Sequence, residues 1–285
     1  MKTKVFFILL MCISLFSFSQ TNQPKTPQEV VNLIKKNVTC DWAEQTVDNI
    51  KAGDPAIALK GIATCMFADM ATLKEAVKQN CNFIITHEPV FYNHLDEKDS
   101  FSDDQVFQEK MKYIKDNNLV IFRFHDHIHR TEPDGISAGM IDKLALEKYA
   151  VNGSQNFFKI PETTVSKYAK ELKKKFGMES IRVIGNPDMK FTKIGFSAGA
   201  PGGQSHIRML RNPNVEVVIA GEAPEWETYL YTNDAVEQGK NKAVIFVGHI
   251  KSEEAGMEYC AQWLQTFIKA TPIHFIENKA NFSEL

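Results

Sequence analysis

No stretch of this 285-residue chain is dominated by lysine and arginine. Positive and negative side chains nearly cancel, at 33 Lys+Arg against 35 Asp+Glu. The one lysine-rich stretch, 167–175, is interleaved with Glu171 in the manner of a solvated helix face. Nucleic acid is therefore not an expected partner. Cysteine is scarce, five residues in all, and no two of them form a C-x-x-C pair. Neither a redox motif nor a thiolate zinc motif is legible. Beyond position 20 no apolar segment is long enough to cross a bilayer, so no stable membrane anchor is expected. There is no short-period repeat.

What is present begins with an export pattern. Lys2 and Lys4 precede an apolar run, 5–16, too short to span a bilayer comfortably, and Ser17-Phe18-Ser19 offers small residues for cleavage. Residues 1–19 read as a signal peptide and the protein as exported, either periplasmic or secreted. Cys12 lacks the small residue expected just before a lipidated cysteine, which favours a soluble form. Loss of Lys2 and Lys4 takes the formal charge from −2 to −4. Export permits disulfides. Yet Cys65 and Cys81 lie in apolar stretches and read as buried thiols, and spacing alone pairs none of Cys40, Cys65, Cys81 and Cys260.

Residues 20–57 form a lead-in with one helix, started by Thr26 as N-cap, Pro27 in the first turn and Glu29 at the third position. Cys40 to Ile50 reads as loop. From 58 to 285 apolar strands alternate with amphipathic helices, in two lobes at roughly 58–150 and 160–285. Strands are expected at 59–67, 82–85, 119–124, 181–184, 193–196, 215–220, 243–247 and 273–276. Helices are expected at 69–80, 103–117, 135–146, 164–176, 226–239 and 253–266. The alternation implies an α/β fold of two similar layers.

Three motifs each follow a predicted strand, at the edge where open α/β sheets bind ligands. His87-Glu88 ends the strand at 82–85. His125-Asp126-His127-Ile128-His129 follows the strand at 119–124. If extended, His125, His127 and His129 share one face and Asp126 lies opposite; in a turn, His125 and His129 converge. His249 and Glu253 follow the strand at 243–247, four residues apart, with Gly248 allowing close backbone approach. Together they supply imidazole and carboxylate ligands and no thiolate. That set suits two divalent metal ions (zinc, manganese or iron) better than a closed structural zinc site. Candidate metal ligands are His87, Glu88, Asp126, His129, His249 and Glu253, with His125 and His127 as candidate proton carriers. The Gly-rich turn from Gly199 to Gly203 could cradle a phosphate or simply turn. Glu222, Glu225, Trp226 and Glu227 could touch substrate, hydrogen-bond a ligand histidine, or only start a surface helix.

At these residues the chain resembles the Nif-three-like dinuclear metal-centre family, some members of which carry the name GTP cyclohydrolase I type 2. The resemblance runs from about Lys60 to Ile276. Its most specific segments are Asn82-Phe-Ile-Ile-Thr-His-Glu-Pro89 and Gly248-His-Ile-Lys-Ser-Glu253. Gly199 to Gly203 and Gly221-Glu222 are similar to the family's later Gly-rich turn and Gly-Asp step, in its short form without an inserted domain. The resemblance implies His87, His249 and Glu253 as ligands. It places Glu88 where a second histidine is expected and His129, four after His125, where an aspartate is expected. Either Asp126 or His129 fills that last place. One histidine and one carboxylate have exchanged positions, and their count is kept. The resemblance also implies two similar α/β domains packed together and a homo-hexameric ring.

The function expected is that of an exported metal-dependent hydrolase acting on a small-molecule substrate. The alternatives are a non-catalytic metal-binding hexameric ring and a GTP cyclohydrolase-type nucleotide-processing enzyme.

Overall fold

The structure is a computed structural model that describes residues 23–279. The expected signal peptide at 1–19 lies outside the described residues. Helix α1 (Pro27–Asn37) begins as anticipated, with Thr26 Oγ1 accepting the Glu29 amide. The first sheet then forms. A short edge strand β1 (Ile50–Ala52), not anticipated from the sequence, begins at the last residue of the expected loop. Strand β2 (Ile62–Cys65), helix α2 (Met70–Lys78) and strand β3 (Phe83–Thr86) make one right-sized crossover unit. Helix α3 (Gln105–Asp116) leads to strand β4 (Val120–Arg123). Strands β2, β3 and β4 pair in parallel, and every residue in them is buried. That is why they read as unbroken apolar runs rather than alternating ones. Asp69 and Asp104 cap the starts of α2 and α3 through their carboxylates, satisfying amides that the helix itself leaves open.

After β4 the chain makes a five-residue helix, α4 (Asp126–Arg130), then α5 (Gly135–Leu144), capped by Asp134. The second sheet contains β5 (Phe157–Thr164), then, after helix α6 (Val165–Lys175), β6 (Arg182–Ile184) and β7 (Lys190–Ser197). Helix α7 (Gly203–Arg211), strand β8 (Val217–Ala220), helix α8 (Leu230–Glu237) and strand β9 (Ala243–Phe246) complete it. Its order is β5-β7-β8-β9-β6. Strand β5 is missing from the sequence expectation. It alternates buried Phe158 and Ile160 with exposed Lys159 and Pro161, and its register against β7 shifts between Lys159 and Thr163. An edge position of this kind is where a proline fits a sheet, because no partner needs its missing amide.

The last two elements cross back. Helix α9 (His249–Phe267) buries Met257, Cys260 and Leu264 in the same core as Val30 and Ile34 of α1 and Phe83 and Phe122 of the first sheet. Strand β10 (Ile273–Phe275) pairs with β2, giving the order β1-β4-β3-β2-β10. The C-terminal end of the lobe expected at 160–285 thus belongs to the first sheet. Helices α5 and α9 meet almost backbone to backbone. A Cβ on Gly139 would fall 2.3 Å from the Ala255 carbonyl oxygen, and one on Gly256 would fall 2.4 Å from Ile136 Cα. Among the described residues all four cysteines are free, and Cys65, Cys81 and Cys260 are buried. Burial pushes the Cys65 thiol up to about 12 and that of Cys81 to about 11.

No helix among the described residues is long and apolar enough to cross a membrane.

Candidate metal centre

The carboxyl ends of β3, β4 and β9 deliver the three motifs to one place. From β3 come His87, which is fully buried, and Glu88, which is nearly so. Helix α9 starts at His249 itself, a full turn earlier than the sequence suggests, so His249 and Glu253 sit one above the other on a single helix face. His249 Nε2 lies 3.2 Å from Glu88 Oε1 and 3.2 Å from Glu253 Oε2. His87 Nε2 is 3.6 Å from Glu253 Oε2, and His129 Nε2 is 4.0 Å from Glu253 Oε1. His125 Nε2 is 3.7 Å from Glu88 Oε1, and its ring stacks on His87 at 4.6 Å between centroids. Two sets of ligand atoms, on His87, His125 and His129 and on His87, Glu88 and Glu253, lie within 4.8 Å of one another.

Of the two arrangements open for the histidine-rich segment, the structure adopts the turn. Helix α4 brings His125 and His129 onto the cluster side, with ring centroids 5.1 Å apart, and turns His127 away. His127 is buried against Trp42, stacked at 3.7 Å. Its Nδ1 donates to Asp48 Oδ2 at 2.7 Å and its Nε2 accepts the Ala43 amide at 2.9 Å. With its two nitrogens engaged by Asp48 and Ala43, His127 is not among the side chains brought together in the cluster. Asp126 also stays outside the ligand set. Its Oδ2 accepts from Thr46 Oγ1 and the Val47 amide, and its Oδ1 pairs with His125 Nδ1 at 3.0 Å. Burial alone would raise the Asp126 carboxyl, but these hydrogen bonds hold it at about 2.

Each of the four clustered imidazoles has its Nδ1 on an oxygen acceptor. His87 uses the Phe124 carbonyl at 3.2 Å, His125 uses Asp126, His129 uses Asp134 Oδ2 at 3.0 Å, and His249 uses Glu222 Oε2 at 3.2 Å. A carbonyl or carboxylate has no proton to give, so each Nδ1 carries the hydrogen. Every Nε2 is thereby directed at the cluster as the nitrogen available to a ligand partner. Such acceptors set the tautomer and orientation of metal-binding histidines. His87 Nε2, His249 Nε2 and Glu253 Oε2 are buried and make no hydrogen bond, despite their short separations. Buried polar atoms without partners are costly, and several aimed at one point ask for a shared cation. Four imidazoles and two carboxylates fit zinc, manganese or iron.

The charge environment agrees. Burial, reinforced by His129 and His125, holds the His87 ring well below the usual histidine range, hence neutral. Burial would also lower His249, but Glu253 and Glu88 outweigh it and push the ring up to about 10. His129 is raised in the same way: burial opposes, and Asp134, Glu253 and Glu88 prevail. Burial would raise Glu88, yet His249, His125 and Arg123 bring it below the usual carboxylate range. Two carboxylates thus raise the proton affinity of two of the clustered imidazoles.

Several supporting residues escape a reading of the sequence. Asp48 lies 77 or more positions from its partners, yet it accepts the amides of His125, Asp126 and His127, capping α4 from a distance. Ser252 Oγ accepts the Gly199 amide at 2.9 Å. Gly199 has φ +63°, and a Cβ there would fall 2.3 Å from Glu253 Oε1. The Gly-rich turn therefore backs the central carboxylate. Glu222 fills the histidine-bonding role that was one of its expected alternatives. Glu225 pairs with Arg182 on the surface, and Trp226 is exposed.

These features define a class: a two-sheet α/β protein with a buried histidine–carboxylate cluster between the carboxyl ends of its sheets. The Duf34/NIF3 (NGG1p interacting factor 3) family matches residues 26–281, and the chain belongs to that family. A Clostridium acetobutylicum protein named GTP cyclohydrolase 1 type 2 homolog is 26% identical over 234 residues, 76% of this chain and 83% of its own length. A Buchnera aphidicola (subsp. Acyrthosiphon pisum) protein of the same name is 22% identical, covering 82% of this chain and 91% of its own. The fold is shared with a Staphylococcus aureus hypothetical protein (TM-score 0.71, 13% identity, 92% of this chain and 100% of that one). A Bacillus cereus protein related to NIF3 also shares it (TM-score 0.67, 14% identity, 91% and 99%).

Proposed function

We propose that this protein is an exported metal-dependent hydrolase that acts on a small molecule at a dinuclear centre. The observation that carries the reading is the convergence of four Nε2 atoms, each with its Nδ1 tied to an acceptor, on two buried carboxylates. His87, Glu88, His129, His249 and Glu253 would hold the ions. Glu253 presents Oε1 to His129 and Oε2 to His87 and His249, so its carboxylate would serve both sides of the cluster. Two divalent ions so held supply Lewis acidity and an acidified water. His125 is the group assigned to proton transfer: Asp126 fixes its Nδ1, and its Nε2 faces Glu88. The proposal extends to a homo-hexameric ring and to removal of residues 1–19 on export.

Gently purified protein is expected to carry about two divalent ions per chain. Glu253→Ala should lose them, together with turnover on a panel of phosphoester, amide and cyclic-amide substrates. Wild-type protein that takes up no divalent ion would end the reading. The name shared by the curated relatives favours a second one, a GTP cyclohydrolase-type activity. Turnover of GTP by wild type that disappears in His249→Ala would select it. Tight metal without turnover on any substrate would select a non-catalytic ring. Light scattering tests the hexamer, and N-terminal sequencing of the exported protein tests the cleavage.

A further inference from the structure

We propose that Arg123 is a positioning residue that makes Glu88 a one-oxygen metal ligand, holding its Oε2 outside the cluster so that Oε1 alone faces the ions. The inference rests on the dinuclear reading above and assigns a role to a residue outside the ligand set.

Arg123 ends β4 and is completely buried. Its Nε donates to the His87 carbonyl at 3.2 Å, and its Nη1 donates to the His94 carbonyl. Its Nη2 reaches Glu88 Oε2 at 3.5 Å. The two Glu88 oxygens thus have separate partners, because Oε1 faces His249 at 3.2 Å and His125 at 3.7 Å. Glu253 differs, with both oxygens turned to imidazoles.

Charge explains why an arginine belongs there. Behind Glu88, Arg123 Nη1 lies 3.6 Å from Asp96 Oδ2, which lies 3.3 Å from Lys51 Nζ. Two buried cations share one carboxylate, and Glu88 supplies the second. A buried ion left without its counter-charge is strongly destabilising. Glu88 therefore closes this charge group with one oxygen and serves the metal cluster with the other. A histidine at position 88 could not do both. Arg123 is what lets a carboxylate at position 88 serve both groups.

The test is zinc titration against a chromophoric chelator, with thermal unfolding run in parallel. The variants are Arg123→Lys, Arg123→Met, Glu88→His and the double variant Glu88→His/Arg123→Met. Arg123→Lys keeps the charge but not the fork. It should bind one ion as wild type does and the other about 10–100-fold more weakly, the usual cost of losing a ligand's orienting partner. Glu88→His should also weaken one ion, and adding Arg123→Met should restore that ion, although Arg123→Met alone weakens it. A residue that merely braces the loop would lower the unfolding temperature in both backgrounds without this reversal. Wild-type affinity for both ions in Arg123→Lys, or equal losses from Arg123→Met in both backgrounds, overturns the role of Arg123 and leaves the metal centre standing. Wild type that binds no zinc overturns both. If Arg123→Met does not fold, the Arg123→Lys titration decides.

Discussion

An imidazole has two nitrogens, and what occupies one decides what the other can do. His127 and His129 are two positions apart in the same short helix, and composition cannot separate them. His127 spends both nitrogens on Asp48 and Ala43, whereas His129 spends one on Asp134 and leaves the other facing Glu253. Replacing His127 with Phe should therefore leave metal content at the wild-type level while costing about 1–3 kcal/mol, from partners left unsatisfied. Replacing His129 with Ala should lower metal content with a smaller stability loss. Elemental analysis beside urea unfolding checks the contrast. A second single-residue effect lies away from the cluster, at Lys110. It is buried, donates to the Val90 carbonyl at 2.7 Å, and is lowered by burial to about 8. Between pH 8 and 10.5 the unfolded chain binds the proton that the folded chain has lost, so stability rises with pH there. Below about 8 both states are charged, and the full burial cost, on the order of 3 kcal/mol, is present. Urea unfolding at pH 7 and pH 10 should show wild type gaining on Lys110→Met as pH rises.

Elements explain why these side chains arrive where they do. The sequence shows that strands end just before His87, His125 and His249, because buried parallel strands are continuous apolar runs and their ends are polar. It does not show that α4 would form. A five-residue helix has little stability of its own, and this one is capped by Asp48, far away in the chain. Local pattern likewise misses β5, a half-exposed edge strand containing a proline. The early start of α9 follows from Gly248, whose φ of +79° turns the chain straight from β9 into the helix. The α5–α9 contact yields its own prediction. Gly256→Ala places a methyl group against Ile136 backbone, and should cost about 1–3 kcal/mol by overpacking. A urea midpoint unchanged from wild type would show that the helices can separate without penalty.

At the scale of the whole molecule, the cluster joins the two sheets. Its side chains come from the ends of β3 and β4 in the first and from the end of β9 in the second, where α9 begins and crosses back. Divalent ions bound there would hold only the folded arrangement. At 100-fold over the dissociation constant each site contributes about 2.7 kcal/mol. Chelation should lower the unfolding temperature by several degrees, and zinc should restore it. An unfolding temperature indifferent to both treatments would show that the ligands do not share a cation.

By itself the sequence determined the α/β class, the strand ends that carry polar side chains, and the residue types of the cluster. Each depends on neighbours within about one helix turn or one strand. Tertiary structure alone decided which histidine of the three turns away from the cluster, that Asp48, Glu222 and Arg123 meet the motif residues, and that the last strand returns to the first sheet. Those outcomes depend on groups tens to hundreds of positions apart, whose meeting is settled by burying apolar faces and by pairing every polar atom that goes in with them.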